Sequence, residues 1–186
     1  MGEVVQKRKT IATASLAGCF GCHMSLLDID EKLFDVIELA EFNKSPITDI
    51  KEFSGMVDLG IVEGGCCNEE NVKVLKSFRE HCKILVSFGA CAIWGGLPAM
   101  RNSFSLEECL QEAYIDSEMG VEGNRFIPHD PEIPKLLNRV YANHEVVKID
   151  YFLPGCPPRA EAIFKLFTDV LSGREPDLPS EMLHYD

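Results

Sequence analysis

The chain has 186 residues, and its 30 acidic against 18 basic side chains leave a net charge of −12. That length buries a proper core without being split, and so acidic a surface argues against nucleic acid or an anionic membrane as partner. No apolar run approaches the ~20 residues of a bilayer span, and the eight cysteines suit metal ligands and small core residues better than disulfides.

Lys7, Arg8 and Lys9 are basic, but the apolar stretch after them is short and runs into Cys19. Residues 1–17 therefore do not read as a secretory signal, and a cytoplasmic location is expected. Residues 10–16, partly β-branched and bounded by charge and glycine, predict a first buried strand. Leu26, Leu27, Leu33 and Phe34 then recur at helical spacing over about 23–34, with Asp28, Asp30 and Glu31 on the wet side. Val, Ile and Leu alternating with Glu38 and Glu41 over 36–42 predict a second strand, and Ser45-Pro46 a turn. A fully buried strand over 56–62 leads into a helix over 68–81, where Val72, Leu75 and Phe78 keep helical period and Glu69 and Glu70 suit the first-turn dipole. Residues 84–88 are the next strand, which completes a right-handed crossover. After Gly95-Gly96-Leu97-Pro98 comes a helix over about 105–115, with Ser105 as cap and Glu107 and Glu108 as early acids. The polar stretch 116–134 reads as a surface excursion and a candidate docking loop. The last strand is expected over 146–153 and the last helix over 159–171. With no repeat or linker, one domain over 1–186 is expected, its core about 10–172 and its tail 173–186.

Four of the apolar runs, 10–16, 57–62, 84–88 and 146–153, end in glycine and cysteine. If they are parallel strands of one sheet, their cysteines gather at its carboxyl edge, where open α/β sheets bind ligands. Converging thiolates with small residues beside them suit an iron–sulfur cluster or zinc. Cys19-Phe20-Gly21-Cys22 has the two-residue gap that lets one loop offer two thiolates to one site, and no second such pair follows it, so the remaining ligands come singly. Cys156, in Pro154-Gly155-Cys156-Pro157-Pro158, is placed at a helix start with prolines in the first turn, where the positive helix end favours an anionic cluster. Cys91, in Gly89-Ala90-Cys91-Ala92, leaves a central strand. Cys19, Cys22, Cys91 and Cys156 thus make four ligands, enough for one [4Fe–4S] cluster. Cys66 and Cys67 follow a strand too, but consecutive side chains diverge, so they are read as packing beside the cluster. Cys82 and Cys109 are expected on helices as core cysteines.

The ordered segments Cys19-x-x-Cys22-His-Met-Ser25-Leu-Leu, Val62-Glu63-Gly64, Gly89-Ala90-Cys91-Ala92 and Pro154-Gly155-Cys156-Pro157-Pro158 resemble the small, electron-transferring subunit of [NiFe] hydrogenases over roughly residues 10–172. The resemblance implies a flavodoxin-like three-layer sandwich with a mainly parallel sheet, and one [4Fe–4S] cluster on the four matching cysteines. It also implies a Ni–Fe centre on a separate large subunit, so hydrogen cleavage lies on the partner and not on this chain. Neither the Cys/His-rich second domain nor the twin-arginine signal of membrane-bound and periplasmic members is present, and the deazaflavin-reducing branch with its ferredoxin-like extension matches poorly. The short form, with Gly64-Gly65-Cys66-Cys67-Asn68-Glu69-Glu70-Asn71 and Gly95-Gly96-Leu97-Pro98-Ala99-Met100-Arg101-Asn102, is most similar to the small subunit of cytoplasmic NAD-linked, bidirectional hydrogenases. Its partners would be the large subunit and a diaphorase module carrying FMN and NAD. A related complex I subunit shares the Gly-Cys-Pro-Pro element but carries its tandem cysteines in the first loop, where this chain has Cys19-x-x-Cys22.

Glu63 ends an apolar strand beside the expected cluster: it reads either as a proton-path or interface carboxylate, or as a strand-end acid held by backbone amides. His23 is either a hydrogen-bond partner of the cluster or a helix-start residue, and His81, His129, His144 and His184 read as solvated. Trp94 suits partner surface or core, and Arg101 and Arg159 suit pairing with acids across an interface or plain surface. Two other classes compete. A flavodoxin-like flavin carrier would need a Ser/Thr/Gly phosphate loop after the first strand, where this chain has Cys19-Phe20-Gly21-Cys22, and a structural zinc protein would show zinc without acid-labile sulfide.

Overall fold

A computed structural model describes residues 8–117 and 125–185. Five strands form one parallel sheet: β1 (Lys9–Ser15), β2 (Ala40–Phe42), β3 (Val57–Glu63), β5 (Cys82–Phe88) and β7 (Tyr151–Leu153), in the order β2-β1-β3-β5-β7. Counting only these five, the order is 2-1-3-4-5, the flavodoxin-like arrangement. Strands buried on both faces read as near-continuous apolar runs, and alternate residues serve opposite layers. Ile11, Leu59, Ile61, Val86 and Phe88 pack with α1 (Gly21–Leu27), α2 (Leu33–Leu39) and α6 (Ala160–Leu171), whereas Ala12, Ala14, Val62 and Leu85 pack with Leu75 and Phe78 of α3 (Glu69–His81). Two further short helices, α4 (Ala90–Trp94) and α5 (Leu106–Gln111), follow β5. Among the described residues no helix is long and apolar enough to cross a membrane.

Helix ends behave as their residues dictate. Asn68 caps α3 by accepting the Asn71 amide at 2.8 Å, and Ser105 and Glu108 close a reciprocal capping box on α5. The helix expected over 105–115 stops at Gln111 and continues as one wider turn. The helix expected over 23–34 is two: Asp30, at φ +56°, breaks it, and a short 3-10 turn links α1 to α2. The strand expected over 36–42 is mostly α2, with only Ala40–Phe42 extended. Its inward residues Leu33, Val36 and Ala40 lie three and four apart, which is helical spacing. The strand expected over 146–153 shrinks to Tyr151–Leu153, because the amides of Val146 and Val147 are taken by the Asn143 carbonyl at 3.1 and 3.0 Å. A two-stranded antiparallel ribbon of β4 (Cys66–Asn68) and β6 (Leu136–Tyr141), absent from the sequence reading, lies outside the main sheet. Cys82 is not on a helix; it opens β5, buried over Gly60, while Cys109 is half-buried on α5. The excursion over 116–134 falls partly outside the described residues, and 125–134 holds no regular element apart from turns.

One clamp ties the last helix-to-strand connections together. The Arg79 guanidinium, at the end of α3, donates to Asp150 Oδ2 at 2.6 Å and to the carbonyls of Lys148, Cys82 and Lys83, and Asp150 also accepts the Leu85 amide. Burial works against the charged form of Asp150, but Arg79 and the Leu85 amide outweigh it and hold the carboxyl below its ordinary range. A carboxylate with a lowered folded-state pKa stabilises the fold above the unfolded value, near 4, and that contribution is lost as pH falls through the lower folded value. Asp150→Asn should therefore cost about 2 kcal/mol in urea unfolding at pH 7, with the gap to the parent closing as the solution is acidified.

Candidate metal centre

The carboxyl ends of four strands meet at one edge and are stitched in pairs by backbone hydrogen bonds. After β1 and β3, the Leu16 amide donates to the Glu63 carbonyl, and Ala17 and Gly65 exchange bonds, all at 2.9 Å. After β5 and β7, the Gly89 amide donates to Leu153 at 2.8 Å and the Ala90 amide to Gly155 at 2.9 Å. Between the two stitched pairs lies a cavity of about 70 Å³ lined by Cys19, Cys22, Cys91 and Cys156, with Glu63 in its wall. Cys19 and Cys156 are exposed and Cys22 and Cys91 half-buried, so the cavity opens on the first two.

Local chain geometry aims the thiols. Phe20 takes the left-handed conformation at φ +68°, which folds the Cys19 loop back so that Cys22 enters the first turn of α1. Gly89 sits at φ +85°, and a Cβ there would lie 2.3 Å from the Cys22 sulfur. A residue without a side chain is therefore demanded twice over. Cys156 lies further from its helix than expected: α6 begins at Ala160, so both prolines precede the first turn. The Pro158 carbonyl is taken by the Ser25 hydroxyl at 2.5 Å and Arg159 is extended, which holds 156–159 out of the helix.

Electrostatics inside the cavity are those of crowded acids. Burial pushes the Cys22 thiol well up, and the Glu63 charge, its hydrogen bond, and Cys91 and Cys19 push the same way. Cys91 is raised by burial, with relief from the Leu97 amide and further pressure from Cys156, Cys19 and Glu63. Glu63, only 2% exposed, goes the other way. Burial opposes its charge, but donors from His23, Ser15 and Cys22 hold its carboxyl below the ordinary range. Thiols that burial and neighbouring negative charge keep protonated are good positions for a cationic centre, which supplies the missing countercharge. Among the described residues no three His, Cys, Asp or Glu side chains converge on one point as a single ion would require. The four sulfurs instead border a shared space.

Other residues singled out in the sequence lie elsewhere. Cys66 and Cys67 sit on β4 away from the cavity: Cys66 is fully buried in the α3-side core, where burial pushes its thiol up to about 12, and Cys67 donates to Asn71. His23 is neither exposed nor aimed at the cavity but buried behind Glu63. His81 is half-buried against the Phe53 ring at 4.6 Å, not solvated, because the ring closes the end of α3. Trp94 is surface, half exposed. Among the described residues Arg101 pairs with no acid; it donates to the carbonyls of Leu137, Asn138 and Cys67, and with Asn102 on Val140 it pins the 97–103 turn to the ribbon. Arg159 reaches the Glu181 carbonyl in the tail. Sequence reading missed Thr13, although a lone polar residue inside a strand buried on both faces has to find a polar partner.

Comparison with known proteins agrees with this fold. The family of the NADH ubiquinone oxidoreductase 20 Kd subunit matches residues 19–170. The delta subunit of the NAD-reducing hydrogenase HoxS of Cupriavidus necator is 50% identical over 177 residues, covering 95% of this chain and 85% of that protein. A subunit of an F420-non-reducing hydrogenase of Methanothermobacter marburgensis is 38% identical over 93% of this chain, which spans only 56% of that relative's length. Among solved structures, a chain of an NAD+-reducing [NiFe]-hydrogenase in the H2-reduced state superposes with a TM-score of 0.93 at 50% identity, over 97% of this chain and 100% of that one. The complex I subunit that competed with the hydrogenase reading thus lends its name to the same family. The chain belongs to the family of the NADH ubiquinone oxidoreductase 20 kDa subunit, in the group formed by the small subunits of NAD-reducing [NiFe] hydrogenases.

Proposed function

We propose that Cys19, Cys22, Cys91 and Cys156 hold one [4Fe–4S] cluster, and that the chain relays electrons between a Ni–Fe centre on a large subunit and a diaphorase module with FMN and NAD. The observation that carries this reading is that four cysteines from three strand-end loops border one cavity of about 70 Å³. When bound, the cluster supplies one-electron transfer, with hydrogen cleavage left to the large subunit. The chain's own residues supply the thiols, half-bury the inner two and set the local charge. The names of the relatives support the assembly, since two that are 50% identical to this chain belong to NAD-reducing hydrogenases. We read the body of the chain, 10–172, as one cluster-binding domain, acting in the cytoplasm.

In the complex purified with its large subunit, about four irons and four sulfides should belong to this chain. Serine at Cys19, Cys22, Cys91 or Cys156 should lower that iron content and weaken or abolish the cluster's paramagnetic signal, while serine at Cys66 or Cys67 leaves both intact. Zinc without sulfide, or full iron in all four variants, would contradict the assignment.

Glu63 is the candidate proton-path residue of the same site. Its burial leaves it no exposed surface to offer a partner in the isolated chain, which favours a proton-holding role over an interface one. Glu63→Gln should keep the cluster spectrum and slow hydrogen turnover by about a hundredfold, the usual scale for losing a positioned acid–base group; full turnover would remove the role.

A further inference from the structure

Behind Glu63 runs a chain of buried polar side chains that the cluster reading does not use. His23 Nδ1 lies 2.9 Å from Glu63 Oε1, and the His23 amide donates to Glu63 Oε2 at 3.2 Å. On the other side of the ring, His23 Nε2 is 2.9 Å from Thr13 Oγ1, which is 2.7 Å from Ser45 Oγ, which accepts the Ile47 amide at 3.3 Å. Thr13, His23, Ser45 and Glu63 are all buried. The Phe20 ring stacks on the imidazole at 4.5 Å and 6°, so the plane of the ring is held as well as its rotation.

The ends of this chain decide its direction. An amide N–H can only donate and an ionised carboxylate can only accept, whereas hydroxyls and a singly protonated imidazole do both. Ser45 therefore receives from Ile47 and gives to Thr13, Thr13 gives to Nε2, and Nδ1 carries the hydrogen that faces Glu63. The contact to Glu63 is short but off the line of an ideal hydrogen bond; two lone pairs facing each other at that distance would repel. Run the other way, the chain would leave the Ser45 hydroxyl hydrogen buried with no acceptor shown among the described residues, a cost that the forward direction avoids.

We propose that Thr13 and Ser45 are positioning residues for the metal centre, fixing the His23 tautomer and through it the place of the Glu63 carboxylate against Cys22. This rests on the cluster reading above. Charge and hydrogen bonds around a ligand sulfur set a cluster's potential, and outer residues that orient those groups act through them. A pair of hydroxyls on β1 and the turn after β2 would in this way tune a centre that neither touches.

The test is an EPR-monitored redox titration of the complex purified with its large subunit, with thermal midpoints and iron and sulfide content on the same samples. Thr13→Val, which keeps the shape and loses the hydroxyl, should retain iron and move the cluster midpoint to more positive potential, since negative charge is no longer held beside Cys22. Thr13→Ser should return it to the parent value, and Ser45→Ala should shift it in the same direction by less. Parent potentials in both Thr13→Val and Ser45→Ala, even with lowered thermal midpoints, would reduce the chain to packing and overturn the proposal, as would a valine shift that serine does not restore. If Thr13→Val does not assemble, Ser45→Ala decides alone. A parent complex without iron and sulfide would fail the cluster reading itself, at the metal analysis and before any titration, and this inference with it.

Discussion

The register of the parallel sheet is the constraint on which the cavity depends. Ser15 lies opposite Glu63, Glu63 opposite Phe88, and Phe88 opposite Leu153, so four strands end in one row. Each then hands the chain to a loop that is hydrogen-bonded to its neighbour's loop, and the cysteines follow within a few residues. A slip of one residue in any strand would turn its side chains to the other face. Such a slip would carry Glu63 out of the cavity wall, or break the bonds from Leu16 to Glu63 and from Gly89 to Leu153. Two cores of opposite parity, one under α1, α2 and α6 and one under α3, pin that register from both sides.

At that edge, burial and charge pull against each other. Cys22 and Cys91 are raised by burial and by Glu63, and Glu63 stays ionised because His23, Ser15 and Cys22 all offer it hydrogens. The chain by itself thus holds its inner thiols protonated beside a fixed negative charge. Thiolates at these positions would relieve that conflict as ligands of a metal centre. The same carboxylate would then be a negative neighbour of that centre, which is how what holds Glu63 would bear on its electronics.

Much of this was legible in the sequence, for physical reasons that also mark where it was not. Strands covered on both faces have to be apolar throughout, so 57–62 and 84–88 stood out, and the cysteines lay directly behind them. Residues 36–42 mislead because Val36 and Ala40 satisfy a helical period while Glu38 and Glu41, set among Val, Ile and Leu, mimic alternation. Strand β6 was invisible because only Val140 of its six residues is buried, and its partner is three residues long. The polar chain behind Glu63 joins Thr13, His23 and Ser45 across separations of 10 and 32 residues, and no local pattern announces which turn will close over which strand. Trp94 shows the limit of composition: a lone tryptophan suits a core, yet this one is half exposed beside Tyr185.

The proposed cluster would fill the space between four strand ends. Anomalous scattering measured at the iron edge, on crystals of the complex, tests it most directly. One compact anomalous feature is expected in this chain, bordered by the sulfurs of Cys19, Cys22, Cys91 and Cys156 with Glu63 behind Cys22. An iron feature beside Cys66 and Cys67, or a peak in the four-cysteine cavity that appears at the zinc edge alone, would contradict it.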